Sequence, residues 1–238
     1  MDKITSLSNP AVKRVVALPE DLILIEGRHP VEEALAAGLE IETIYVREDQ
    51  TPWENCVIVT QAVMAKMATT DSPPPVLAVA KRPSSHLSHG RLLGLVGLQD
   101  PGNIGTLIRA ACAFGITGIL LIGDSCDPYH PKVIRASAGL IFRLPVAMVT
   151  NLDSVLSTFN DLSVFAADAH EGKSYKDIDY GDHPLLLLGS EAHGLPPEIL
   201  AHATPLHIPM HPSAESLNVA MAGAIILSEM YQKAYKGI

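Results

Sequence analysis

Aromatic side chains are scarce in this sequence: 5% of 238 residues, with Trp53 the only tryptophan. That leaves little material for a pocket that stacks on a flipped base, and none of the three cysteines lies in a pattern that marks a nucleophile. Cys56, Cys112 and Cys126 are odd in number and lack Cys-x-x-Cys or zinc-ligand spacing, so reduced, mostly buried thiols are expected. No apolar run reaches the roughly 18 residues of a membrane span, and MDKITSLSNPAVKRVVALPE has no signal-peptide core, so a cytoplasmic protein without a membrane partner is expected. The ten histidines form no His-Glu-x-x-His set, and the pair His86 and His89 sits in a Ser-rich stretch, so no metal is expected. Basic charge is also short. The formal net charge is −9, with 8 basic against 12 acidic residues in 1–83 and 9 against 14 in 84–238. Generic nucleic-acid binding by counterion release needs a basic face, which this balance does not supply overall. Locally, DPYHPKVIRASAGLIFRLPV (127–146) carries Lys132, Arg135 and Arg143 with no acid after Asp127.

What is present reads as two α/β domains. In residues 1–83, DLILIEG (21–27) and IETIYVRE (41–48) read as strands and RHPVEEALAAG (28–38) as a helix ended by Gly38. VIVTQAVMAKMA (57–68) and VLAVAKRP (76–83) complete a small α/β domain, and residues 84–91 read as a linker. From 92 to 238, apolar strands recur at 92–98, 118–123, 162–168, 184–190 and 205–210 with helical patterns between them. Strands that are apolar throughout and alternate with helices predict a parallel sheet covered on both faces.

Ligands of such sheets sit beyond the carboxyl ends of the strands, and three of those ends are unusual. DPGNIGTLIRAACAFG (100–115) opens a helix after the first strand. It is not a dinucleotide fingerprint, because Gly102 and Gly105 are three apart with bulky Asn103 and Ile104 between, and no Gly-Lys-Ser/Thr makes it a P-loop. With Asn103 as the expected N-cap, Ile104, Leu107, Ile108, Ala111 and Phe114 share one stripe, and Arg109 lies roughly 140° from Ile104 as the helix's only charge. PLLLLGSEAHGLPPEIL (184–200) places Gly189, Ser190, Glu191 and Gly194 after a strand, one carboxylate in an otherwise uncharged loop. IPMHPSAESLNVAMAGAIILSEMY (208–231) leads to Ser216, Leu217 and Asn218 at an expected helix start, with Ser216 as N-cap. That helix is apolar nearly all round, and Ala220, Ala222, Gly223 and Ala224 permit close backbone approach, which predicts burial or an interface.

Taken in order, Asn103-x-Gly105-x-x-x-Arg109, Gly189-x-Glu191-x-x-Gly194 and Ile208-Pro-Met…Ser216-Leu-Asn-Val resemble the SpoU/TrmH family of S-adenosylmethionine-dependent RNA ribose 2′-O-methyltransferases, of the SPOUT class. KVIRASAG (132–139) joins the resemblance, and SNPAVK (8–13), LIEGRHPVEEAL (24–35) and VLAVAKRP (76–83) resemble its small substrate-binding domain. The family commonly has Gly where Ala192 stands, and often a Gly-containing loop where this chain has His211-Pro212-Ser213. The resemblance implies a catalytic domain with a C-terminal trefoil knot, S-adenosylmethionine as methyl donor bent into it, and a homodimer whose active site is completed across the interface.

It also implies roles. Arg109 is the candidate for activating the acceptor hydroxyl. An arginine side chain stays protonated and so is not available as a free base, so the role expected of Arg109 is to hold the neighbouring phosphate and stabilise developing alkoxide. Asn103 is expected to position Arg109 or the substrate, and Glu191, Ser216 and Asn218 to shape the pocket and orient ribose or donor. Donor binding is expected from Leu188, Gly189, Ser190, Glu191, Gly194, Ile208, Met210, Ser216, Leu217 and Asn218, largely through backbone groups. Arg28, Lys132, Arg135 and Arg143 are the candidate RNA contacts. The extra first domain resembles those of ribosomal RNA modifiers, so large-subunit ribosomal RNA is the expected substrate. A tRNA ribose methyltransferase, a non-catalytic RNA-binding relative and a nucleotide-binding oxidoreductase stay open as alternatives.

Overall fold

The computed structural model describes residues 3–84, 86–169, 171–191 and 193–235. Ala192, one residue of the expected linker (Ser85) and the extreme ends of both expected domains thus lie outside the described residues. The chain forms two compact units. The first comprises the residues up to Ser84 together with Tyr129–Arg143, and the second comprises Ser85–Pro128 and the chain from Leu144 onward.

The first unit opens with β1 (Lys3–Ile4), α1 (Pro10–Val16), β2 (Leu22–Glu26) and α2 (Arg28–Ala36). It continues with β3 (Ile41–Arg47), β4 (Cys56–Val59), α3 (Gln61–Met67) and β5 (Val76–Lys81). The five strands form a mixed sheet in the order β1-β4-β3-β5-β2, with β5 antiparallel to both of its neighbours. α1 starts where Asn9 accepts from the Ala11 amide and Pro10 supplies a preset φ. Val12 and Val15 of α1 pack with Val63, Met64 and Met67 of α3 over Leu22, Leu24, Leu77 and Val79.

The second unit is built on β6 (Leu92–Val96), α4 (Pro101–Ala113) and β7 (Gly118–Ile122). The next segment, Tyr129–Arg143, belongs to the first unit and carries α5 (Pro131–Ala136) and a 3-10 turn at Leu140–Arg143. The second unit resumes with β8 (Val146–Val149), α6 (Leu152–Thr158), β9 (Ser163–Asp168) and β10 (Lys173–Ser174). It ends with β11 (Pro184–Gly189), α7 (Pro197–Leu200), β12 (Thr204–His207) and α8 (Val219–Ala234).

Its seven strands are parallel at every pairing, in the order β10-β12-β9-β11-β6-β7-β8. One face packs Leu92, Leu120, Leu185 and Leu187 beneath Leu152 and Val155 of α6. On α8, Gly223 allows a close approach: a Cβ there would lie 2.4 Å from Leu107 Cδ2 of α4 and 2.8 Å from Leu188 Cδ1 of β11. The expected all-round burial of this helix is only half met, since Met221 remains 59% exposed and Tyr231 37%. Residues 86–91 belong to the second unit, where Leu87 packs against its core.

Candidate functional site

β6, β11 and β12 lead at their carboxyl ends into the three segments singled out above. α4 begins earlier than expected. Asp100 is the N-cap, its Oδ2 accepting from the Asn103 amide at 3.1 Å, and Pro101 holds the first turn. Asn103 therefore sits inside the first turn with its side chain available for another purpose. After β11 the chain doubles back. The Gly194 amide donates to Ser190 O at 2.8 Å, and a Cβ on Gly189 would lie 2.3 Å from the Gly194 carbonyl atoms. Only glycine fits at 189, and Gly194 takes the left-handed region at φ +66°. The result is a compact loop carrying Glu191.

α8 begins later than expected: the N-cap is Asn218, not Ser216. Asn218 Oδ1 accepts from the Ala220 and Met221 amides at 3.0 and 3.2 Å, which fixes the amide group and leaves its Nδ2 as a donor. That nitrogen donates to Glu191 Oε1 at 2.7 Å and to Asn103 Oδ1 at 3.0 Å. Asn103 Nδ2 donates to the same Glu191 oxygen at 3.3 Å, as does the Val219 amide at 3.3 Å. One carboxylate oxygen thus collects donors from two strand-end segments besides its own loop. The amino-terminal end of the 16-residue helix α8 lies against it.

Beside this network is a cavity of about 180 Å³. Leu188, Gly189, Ser190, Glu191, Gly194, Ile208, Met210, Ser216 and Leu217 all line it, so nine of the ten residues expected to bind the donor are brought together. Asn218 adjoins it through Glu191. Val219, Ala222 and Ile226 of α8 give it an apolar wall, and Asp168 adds a second carboxylate at the end of β9. Asp168 escaped the sequence reading; its signal was an acid closing the strand LSVFAAD after the apolar run Val164–Ala167.

Arg109 is exposed on α4, outside the cavity lining, and makes no hydrogen bond or ion pair with another described residue, Asn103 included. In the first unit Arg28 stacks over Trp53, 5.0 Å from the ring centroid, and approaches Glu32 at 3.9 Å. The Lys132 amide donates to His130 Nδ1 at the start of α5. Arg135 contacts Glu26, whose side chain is fully buried. Arg143 makes a two-pronged bridge to Glu33 at 2.6 and 2.8 Å. Among the described residues no cluster of His, Cys, Asp and Glu is arranged to hold a metal ion, and no helix is long and apolar enough to cross a membrane.

Residues 90–228, which include the first two strand-end segments whole and the third up to Ser228, match the SpoU rRNA Methylase family. The chain belongs to that family. Ahead of the SpoU region, residues 9–78 match the MRM3-like substrate binding domain. A protein of Synechocystis sp. named uncharacterized tRNA/rRNA methyltransferase slr1673 is 34% identical over 95% of this chain and 92% of its own. The 23S rRNA (guanosine(2553)-2′-O)-methyltransferase RlmP of Bacillus subtilis is 31% identical over 86% of each. The AdoMet-bound crystal structure of an rRNA methyltransferase from Sinorhizobium meliloti superposes on this SpoU chain with a TM-score of 0.85, at 29% identity and 98% coverage of both.

Proposed function

We propose that this SpoU-family enzyme transfers a methyl group from S-adenosylmethionine to a ribose 2′-hydroxyl of large-subunit ribosomal RNA. The observation that carries the reading is the convergence of Asn103 and Asn218 on Glu191, a residue that lines the cavity. The cavity fits the donor: Gly189, Ser190 and Gly194, apolar side chains of α8 and two carboxylates match a molecule with a planar base, hydroxyls and positive charge. When bound, S-adenosylmethionine supplies a methyl group already activated on a sulfonium.

The protein's own task is then to hold the acceptor oxygen in line and deal with its proton. Glu191, oriented by Asn103 and Asn218, fixes the boundary between donor cavity and acceptor. Arg109 holds the adjacent phosphate and stabilises the oxygen as it gains negative charge, the proton leaving through phosphate or water. The relatives named as 23S rRNA 2′-O-methyltransferases and the match to a substrate-binding domain support ribosomal RNA as the acceptor.

The same reading takes the protein as a cytoplasmic homodimer with the knotted donor site of its family. The exposed Met221 and Tyr231 on α8, and an Arg109 without a hydrogen bond or ion pair among the described residues, support a composite site. Mapping 2′-O-methyl groups in total RNA with and without the gene tests the acceptor. Loss of one site in 23S-type RNA is the expected result; loss in tRNA alone would replace the substrate. Transfer to the same oligonucleotide carrying a 2′-deoxy target should vanish, and methylation of that substrate would refute the ribose assignment.

A further inference from the structure

Among the described residues that line the cavity only Glu191 and Asp168 carry charge. Glu191 is engaged by Asn103, Asn218 and the Val219 amide. Asp168 is the second carboxylate of the cavity, with no part of the donor assigned to it. It closes β9, the strand between β11 and β12, in register with His207. Its position is fixed by the turn that follows: the Glu171 amide donates to Asp168 Oδ1 at 2.9 Å. Gly172, at φ +91°, approaches β12 so closely that a Cβ would lie 2.0 Å from Pro205 O.

A carboxylate only accepts hydrogen bonds and offers about four lone-pair positions, so a ligand opposite it has to bring donors. A nucleoside methyl donor brings a vicinal diol, whose two hydroxyls match two carboxylate oxygens. Doubly wound nucleotide-binding folds use this pairing: an acid further along the chain accepts from the ribose hydroxyl, while a Gly-rich turn receives the rest of the ligand. Here β9 neighbours β11, which runs directly into the Gly189–Gly194 loop.

We infer that Asp168 accepts the ribose hydroxyls of the methyl donor and makes the site selective for an intact adenosyl diol. This rests on the donor assignment proposed above. The test is calorimetry on the full chain with three probes: S-adenosylhomocysteine, its 2′-deoxy analogue, and 5′-methylthioadenosine, which keeps the ribose but lacks the amino-acid end. Asp168→Asn preserves an oxygen for the Glu171 amide and should melt like the parent, whereas Asp168→Ala removes the group altogether.

Both variants should bind S-adenosylhomocysteine and 5′-methylthioadenosine about 10- to 100-fold more weakly, the scale of a lost charge-assisted hydrogen bond. The parent should discriminate against the 2′-deoxy analogue, and the variants should not. A 2′-deoxy penalty that persists in the variants overturns the inference. So does a loss confined to S-adenosylhomocysteine, which would put the carboxylate on the ammonium group. A folded parent that binds none of the probes overturns the donor assignment itself.

Discussion

Replacing Arg135 by Met decides whether that arginine serves the fold or the RNA. Glu26 has a fully buried side chain that accepts from the Thr69 amide at 2.6 Å and the Thr69 hydroxyl at 2.7 Å, and Arg135 supplies its only cation among the described residues. Burial pushes the Arg135 guanidinium pKa down from its ordinary value. Methionine keeps most of the stem and strands the carboxylate with two neutral donors. Removing one partner of a buried pair costs about 3–5 kcal/mol; Arg135 is 31% exposed, so water recovers part of this and about 2–4 kcal/mol is expected. In a unit of roughly 100 residues each kcal/mol lowers Tm by about 4–8 °C, which predicts a drop of about 8–32 °C.

Thermal melting by circular dichroism measures the drop. The double variant Arg135→Met/Glu26→Gln, with no buried charge left, should recover most of it. A Tm within about 3 °C of the parent, accompanied by weakened RNA binding, would refute this reasoning and return Arg135 to the RNA surface expected from the sequence.

Arg109→Ala should abolish most methyl transfer while leaving S-adenosylmethionine affinity unchanged by calorimetry, because Arg109 lies outside the cavity lining; equal loss of donor binding would reject its assignment to the acceptor. Gly189→Ala puts a Cβ 2.3 Å from the Gly194 backbone, which has no flexible side chain to yield, so the loop has to open. Donor affinity should fall at least about tenfold with about 1–3 kcal/mol lost from stability, read by calorimetry and melting. Sedimentation at micromolar concentration should give a dimer, and a fully active monomer would end the composite-site reading.

The parallel sheet was legible because its strands are apolar on both faces, a pattern that only helices on both sides explain. β8 escaped: Val146–Val149 is four residues long and follows Pro145 directly, too short to show a period. The site residues were legible as types at strand ends, but their partners were not. Both helix starts were misplaced by two or three residues because Asn103 and Ser216 are good caps taken alone, while Asp100 ahead of Pro101 and Asn218 ahead of Val219 are the ones used. The error mattered for Asn218. Its side-chain oxygen caps the helix while its nitrogen holds Glu191, two tasks that one amide group performs together. The basic character of 127–146 was equally plain, whereas the acids that answer it, Glu26 and Glu33, lie about 110 positions earlier in the chain and no local pattern links them.

The interleaved organisation of the first unit bears on how such a protein can be taken apart or exchanged with a relative. Tyr129–Arg143 enters between β7 and β8, so the unit is discontinuous in sequence. A fragment ending at Ser84 retains Glu26 and Glu33 but loses Arg135 and Arg143, and it uncovers Pro30 and Glu33 where Gly139 would otherwise sit with no room for a Cβ. Recombination at a single crossover near the linker would therefore pair one parent's acids with another parent's arginines. Inheritance of the substrate-binding unit as a working piece requires two stretches of the gene to travel together.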